Sequence, residues 1–274
     1  MPQINSDIIN ILLEYIWIPV VLPLIIIFLK SVLRVKELKK GTDPEIEEFI
    51  NLYNLRIKEN LRICAEEILQ FIERREGEVV EHHLYVCKKL SKTVGFIKFM
   101  YSEPHKYVFI AYMAIDKEDS VARQYAFNLM LKKIYKKYLK TKKATMILTE
   151  IERGTKGNYK TGLAKLISRY TKKFKKQSYI IKFDYLQPSM PDDEYGDVSE
   201  EILSLVYIPM YTMANMKMPK NELLSILQTI YFEIYYPSCN EITACDCNDY
   251  NSYLESIMDI YKSELPEYID LIPI

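Results

Sequence analysis

The sequence predicts an α/β (α+β) domain preceded by one N-terminal transmembrane helix, and three observations lead there. At 274 residues the chain is long enough for one sizeable domain plus attachments. From about residue 46 onward, apolar residues recur first at helical and then at strand spacing, in the order helix, helix, strand, strand, strand, helix, strand, helix, strand, strand. Ahead of them, "IINILLEYIWIPVVLPLIIIFLKSVL" (Ile8 to Leu33) has Glu14 and Lys30 as its only charges.

That apolar run spans a bilayer if Lys30 reaches the interface, and Pro19 and Pro23 are tolerated better in a membrane helix than in a soluble one. Its positive charges follow the run instead of preceding it, unlike a cleaved signal peptide. Lys30, Arg34, Lys36, Lys39 and Lys40 lie downstream, with Asp7 and Glu14 upstream. The expectation is a single-pass anchor, N-terminus outside, with everything after about residue 34 cytoplasmic. Residues 1–40 thus form the transmembrane helix and basic juxtamembrane segment. A buried core helix is the alternative.

"KKGTDP" punctuates a linker. Ile46, Phe49, Ile50 and Tyr53, then Leu61, Ala65, Ile68, Leu69 and Ile72, predict two helices with a break near Arg56 to Asn60. "HHLYVCKKLSKTVGFIKFMYSE" predicts two strands around a polar turn at Lys88 to Lys92. "KYVFIAYMAID", almost wholly apolar, predicts a central strand. A helix from Ser120 carries a polar stripe at Gln124, Asn128, Lys132, Lys136 and Lys140, so its other faces are buried. "KATMILTEIE" is a strand, "TGLAKLISRYTKKFKK" a helix and "SYIIKFDYLQ" a strand; another strand runs around Ile202 to Met210. "NELLSILQTIYFEIYY" and "YNSYLESIMDIYKSEL" close the chain as helices.

Net charge is zero, but unevenly spread. Lys132 to Lys176 holds sixteen Lys/Arg against Glu150 and Glu152; from Ser189 onward sixteen Asp/Glu face Lys217, Lys220 and Lys262. The two halves either face each other, or the basic one faces an anion and the acidic tail recruits a protein partner. Five cysteines without a regular framework fit a reducing compartment. "CNEITACDCND" lacks a fourth Cys or His nearby, so no metal site is expected.

The strands around "VGFIKF" and "VFIAYMAID", the long helix, "MILTEIE" and the helix–strand pair after it resemble the GNAT superfamily of acyl-CoA-dependent N-acyltransferases. "EFINLYNLRIKENLRICAEEILQFIE" looks like its two leading helices, and "YIIKFDYLQPSMP" is similar to a Tyr-Gln-Pro stretch in some bacterial members. The resemblance implies a mixed, mostly antiparallel central sheet flanked by helices over residues 41–236, with 237–274 a helical acidic extension. It implies acetyl-CoA or another acyl-CoA as donor substrate and an amine on a small molecule or protein as acceptor. It also implies a diphosphate cradle where the central strand meets the helix, at Ile115, Lys117, Ser120, Val121, Ala122 and Arg123. This sequence departs from the family there: "DKEDSVARQY" has no glycine, although Ser120 can serve as N-cap and Lys117 and Arg123 add positive charge. Asp116, Glu118 and Asp119 crowd the same loop.

An amine must lose a proton to attack a thioester, so a general base is needed. Glu150 and Glu152 alternate on one side of their strand and are the candidates. The family's leaving-group acid is a tyrosine, and the nearest motif match is Tyr170. A serine or cysteine nucleophile finds no support. Three readings follow: a membrane-anchored cytoplasmic N-acyltransferase; an inactive GNAT-like binding or regulatory module, favoured by the missing glycines; and a basic face for anionic lipid, nucleic acid being disfavoured without aromatics placed for stacking.

Overall fold

The structure is a computed structural model describing residues 32–58, 63, 65–73, 79–153, 162–188, 201–213, 215–235 and 247–274. Its strands are β1 (Leu33–Leu38), β2 (Val80–Lys89), β3 (Lys92–Ser102), β4 (Tyr107–Ile115), β5 (Met146–Glu152), β6 (Tyr179–Ile181), β7 (Tyr185–Gln187), β8 (Glu201–Pro209), β9 (Lys217–Pro219) and β10 (Tyr268–Pro273). The helices are α1 (Ile46–Arg56), α2 (Ala65–Glu73), α3 (Ser120–Ile134), α4 (Gly162–Lys173), α5 (Lys220–Thr229) and α6 (Cys247–Glu264). Helices α3 and α5 run on through wider π-helical turns, Tyr135–Thr141 and Ile230–Tyr235.

One large mixed sheet organises the chain, in the order β1-β2-β3-β4-β5-β8-β6-β10-β9, with β7 also on β8. Every pairing is antiparallel except β4 with β5. Alternation along the strands splits the core between two faces. Val108, Ile110, Ile147 and Ile151 pack with Phe127, Met130 and Tyr170 under α3 and α4. On the other face, Leu84, Val86 and Phe96 pack with Phe49 and Ile68 of α1 and α2. Farther along it, Phe109, Leu148 and Tyr207 pack with Leu227, Tyr231 and Leu254 of the α5 and α6 regions.

The membrane-helix expectation, with its topology, falls on residues 1–31, outside the described residues. Among the described residues no helix is long and apolar enough to cross a membrane. The end of that span does need correcting, because Leu33 is buried and opens β1. The segment read as juxtamembrane is therefore a strand, paired from Leu33↔Lys89 to Leu38↔Leu84. Its Lys36 meets Glu45 at 2.5 Å and Asp43 at 3.3 Å. Charged side chains suit this position, since β1 is the sheet's edge. The far boundary shifts too: after α6 the chain returns as β10, between β6 and β9, so residues 268–273 belong to the sheet. "SYIIKFDYLQ" is two short strands, broken at Lys182 to Asp184 where buried Phe183 turns inward.

Candidate active site

The parallel ladder between β4 and β5 is short. It runs from Tyr107↔Met146 to Ile110↔Thr149 and then stops, although β4 continues to Ile115 and β5 to Glu152. The cause is on β4's other side: Lys98 pairs with Tyr112 but Phe99 with Ile110, so Ala111 is an extra, bulged residue. A bulge bends and twists its strand, and here it turns β4 away from β5, which stays paired with β8 throughout. The two strands thus open into a wedge holding a cavity of about 120 Å³, walled by Ala111, Tyr112, Met113, Glu150 and Gln187 among others.

Glu150 stands near the apex of the wedge, one residue past the last pair of the ladder. Tyr185 donates a short hydrogen bond to its Oε1, and the Tyr235 hydroxyl lies 2.9 Å from both carboxylate oxygens. Burial pushes the Glu150 carboxyl up to about 7, against the two tyrosine hydrogen bonds, which favour the charged form. A carboxylate with that poise, beside a cavity, is suited to taking a proton near neutrality.

The other expected catalytic residues are placed differently. Glu152 also walls the wedge cavity, but it is half-exposed at the strand end and pairs with Lys58 at 2.9 Å. Tyr170 needs correction: α4 buries it on the opposite face of the sheet from Tyr235 and Tyr185, 4.7 Å from Phe127, because its neighbours Ile167 and Ala164 put it on the apolar stripe. The tyrosines that do gather at Glu150 come from β7 and the end of α5. The "YLQ" of β7 was visible in the sequence, but not as a site, and 23 tyrosines gave Tyr235 no distinction.

The loop from β4 to α3 is already occupied by its own acids. The N-cap is Asp119, not Ser120, which is the first helical residue: Asp119 Oδ1 accepts from the Ala122 amide at 2.8 Å. Its Oδ2 meets Lys89 at 2.8 Å. Asp116 Oδ1 accepts from the Glu118 amide at 3.1 Å and meets Arg56 at 3.2 Å, while Oδ2 meets Lys92 at 2.9 Å. Lys92, as the leading cause, holds the Asp116 carboxyl below its ordinary value. The Ala122 amide and the neighbouring cations Arg56, Lys89 and Lys92 therefore already serve the loop's own carboxylates. Ile115 is half-buried against the α3 face and Lys117 is exposed. For Ser120, Val121 and Arg123 the backbone alone is described.

The basic stretch spends some of its charge within the fold. Lys137 meets Glu37 at 3.7 Å, and Lys142 meets Glu81 and, at 3.9 Å, Glu103, all outside the acidic C-terminal half. Among the described residues no cluster of His, Cys, Asp and Glu could hold a metal ion; Cys239 and Cys245 lie outside them.

No protein-family model matches the chain, and no curated protein matches it in sequence. Solved structures do match. One from Bacteroides thetaiotaomicron, described as an acetyltransferase of the GNAT family, superposes with TM-score 0.52 and 14% identity over 74% of this chain and 98% of that one. A spermidine N-acetyltransferase from Vibrio cholerae, solved with CoA and spermine, gives TM-score 0.42 at 12% identity over 65% of this chain and 96% of that one. An acetyltransferase from Salmonella typhimurium that modifies the N-terminal serine of a ribosomal protein gives TM-score 0.43 at 8% identity, over 67% and 98%. At such identities the first likeness is one of fold, a mixed sheet flanked by helices as in that acetyltransferase; the other two superpose too loosely to carry more.

Proposed function

We propose that the protein is an N-acyltransferase that takes an acyl group from a thioester lodged between β4 and β5 and passes it to an amine. The observation that carries this reading is Glu150, a carboxylate poised near 7 in the wedge cavity. An incoming amine gives its proton to Glu150, attacks the thioester carbon and expels the thiolate. Tyr235, in contact with both carboxylate oxygens, is the hydroxyl we assign to hand a proton on to the sulfur. Beyond Ile110 the backbone of β4 no longer ladders with β5, and its edge is suited to hold an amide-bearing arm.

The donor class is acyl-CoA or a related thioester, with one qualification from the loop. Because Asp116 and Asp119 fill it, a diphosphate adds little affinity, and the arm and acyl group carry most of the binding. The test is calorimetric titration of acetyl-CoA, free CoA and S-acetyl-pantetheine into the full chain, followed by an amine acceptor screen. Acetyl-CoA and S-acetyl-pantetheine should bind within about tenfold of each other, and Glu150→Gln should slow turnover roughly 10²–10⁴-fold. Absence of binding by every thioester would refute the reading.

The self-filled loop also favours a second reading, a GNAT-like module without catalysis; turnover by the wild-type chain would exclude it. Attachment to a membrane through the apolar run before Leu33 is part of our proposal and rests on its uncharged stretch from Tyr15 to Leu29. Release of the protein from membranes by high salt alone would refute that part.

A further inference from the structure

One buried cation takes no part in the chemistry described so far. Lys98 is only 3% exposed, on the sheet face it shares with Phe96 and Met100, where packing under α1 and α2 gives way to packing under α5. Its Nζ lies 2.8 Å from Met100 Sδ and 3.4 Å from His82 Nδ1, with the Phe71 ring centre at 5.7 Å. Glu67 of α2 is buried nearby with Oε1 unpartnered, and acts on Lys98 through its field. Burial lowers Lys98 to about 7 against that field, and raises Glu67 to about 7 against Lys98. A buried amine facing a thioether and an imidazole gains little from being charged, and the neutral amine is a nucleophile.

Lys98 also faces usable space. It lines a cavity of about 30 Å³ together with Ala111, Tyr112, Glu150 and Gln187, and those four residues also wall the larger wedge cavity. Lys98 and Glu150 thus border the same small cavity from β3 and β5, and an acyl acceptor and its base must be held in one such space.

We propose that Lys98 is itself an acyl acceptor, the chain moving the acyl group of a wedge-bound thioester onto its own Lys98 amine with Glu150 as base. This rests on the acyl-transfer reading above. The bond formed joins Nζ to the carbonyl carbon, and the bond broken is C–S. One Nζ proton passes to the Glu150 carboxylate and then to the departing thiolate, leaving a free thiol and an Nε-acyl-lysine. The amide is stable, so the event occurs once per chain and removes the buried cation. The small cavity selects a short acyl group such as acetyl.

The full chain is incubated with acetyl-CoA, and separately with S-acetyl-pantetheine, at mildly alkaline pH. Peptide mass spectrometry follows each lysine while calorimetry records donor binding. The Lys98 peptide should gain one acetyl group in nearly every chain, ahead of exposed Lys132 and Lys136, and roughly tenfold or more slower in Glu150→Gln. Tyr235→Phe, which keeps the carboxylate, serves if Glu150→Gln does not fold. Donor binding without Lys98 acetylation overturns the self-acylation and leaves the acyl-transfer reading standing. Acetylation of Lys98 no faster than in heat-unfolded chain overturns it as well. Absence of donor binding overturns both.

Discussion

Asp119→Asn asks whether the loop between β4 and α3 is a phosphate cradle closed by its own carboxylate. Asparagine caps a helix about as well as aspartate, so the acceptor for the Ala122 amide is kept, at 2.8 Å in the wild type. What changes is charge: the carboxylate that meets Lys89 at 2.8 Å becomes neutral and that ammonium is freed. A diphosphate near the same amide sits within about 5 Å of the Asp119 oxygens, and two unit charges at that separation repel by about 1–3 kcal/mol for effective dielectrics between water and protein surface. Each 1.4 kcal/mol is tenfold in affinity, so free CoA should bind roughly five- to a hundredfold tighter to the variant. S-acetyl-pantetheine, which has no diphosphate, should bind unchanged. The lost partly exposed ion pair costs about 0–1 kcal/mol of stability, so the fold survives. Calorimetry at low salt with both ligands is the assay. Unchanged or weaker CoA binding in a variant that melts cooperatively would refute the argument that Asp119 guards this site.

Three further outcomes follow from the same structure. Tyr235→Phe removes a hydrogen bond that favours the charged form of Glu150; at about 1.5–3 kcal/mol for a bond to a charged group, the acidic limb of the rate profile should move up by roughly 1–2 pH units. A profile that keeps its midpoint would show that the hydroxyl does not act on Glu150. Lys98→Met should stabilise the chain by several kcal/mol below pH 7, because each unit of pKa depression corresponds to about 1.4 kcal/mol. Between about 7 and the unfolded value near 10.5 the unfolded chain holds the proton that the folded chain has lost. Wild-type stability therefore rises with pH in that window, and the variant's advantage shrinks. Denaturant midpoints at several pH values check this, and a gap constant with pH would refute it. Finally, a chain beginning at Gly41 lacks β1 with buried Leu33 and Leu38, a loss of about 1.5–3 kcal/mol per side chain, and bares the β2 edge. It should melt well below the full chain and self-associate, and an unchanged melting curve would show that β1 contributes nothing.

What the sequence made legible follows from where its signals are local. β3, β4, β5 and α3 are central, so their apolar runs are long and their periods clear. The polar stripe of α3, spaced by four, drifts by about 40° a turn on an ideal helix of 3.6 residues per turn. The wider turns of Tyr135–Thr141 drift the other way and let the stripe persist. β1 and β10 escaped because an edge strand tolerates Arg34, Lys36 and Glu37, and because "YIDLIP" follows a helix long enough to seem the end of the chain. The loop's departure from the family pattern was plain in its missing glycines, and the acids noted there are the groups that fill it.

The site itself depends on separations that no local pattern encodes. Glu150 stood out as one of two alternating acids, yet what sets it apart from Glu152 comes from Tyr185 and Tyr235, 35 and 85 residues farther along. Spacing within one helix points to Tyr170, but such spacing says which face a residue joins, not which side of the sheet that face meets. Lys98 is the sharper case: in "VGFIKFMY" it occupies the lone polar position of an apolar strand, the place a solvated lysine would take at a half-covered sheet. Here that face is covered, by α1 and α2 on one side and α5 on the other, so the same alternation buries an amine instead of exposing one. The bulge at Ala111 decides the rest. One extra residue in β4 ends the ladder with β5 at Ile110 and leaves the space that Glu150 and Lys98 border; a regular strand would close that gap with backbone hydrogen bonds.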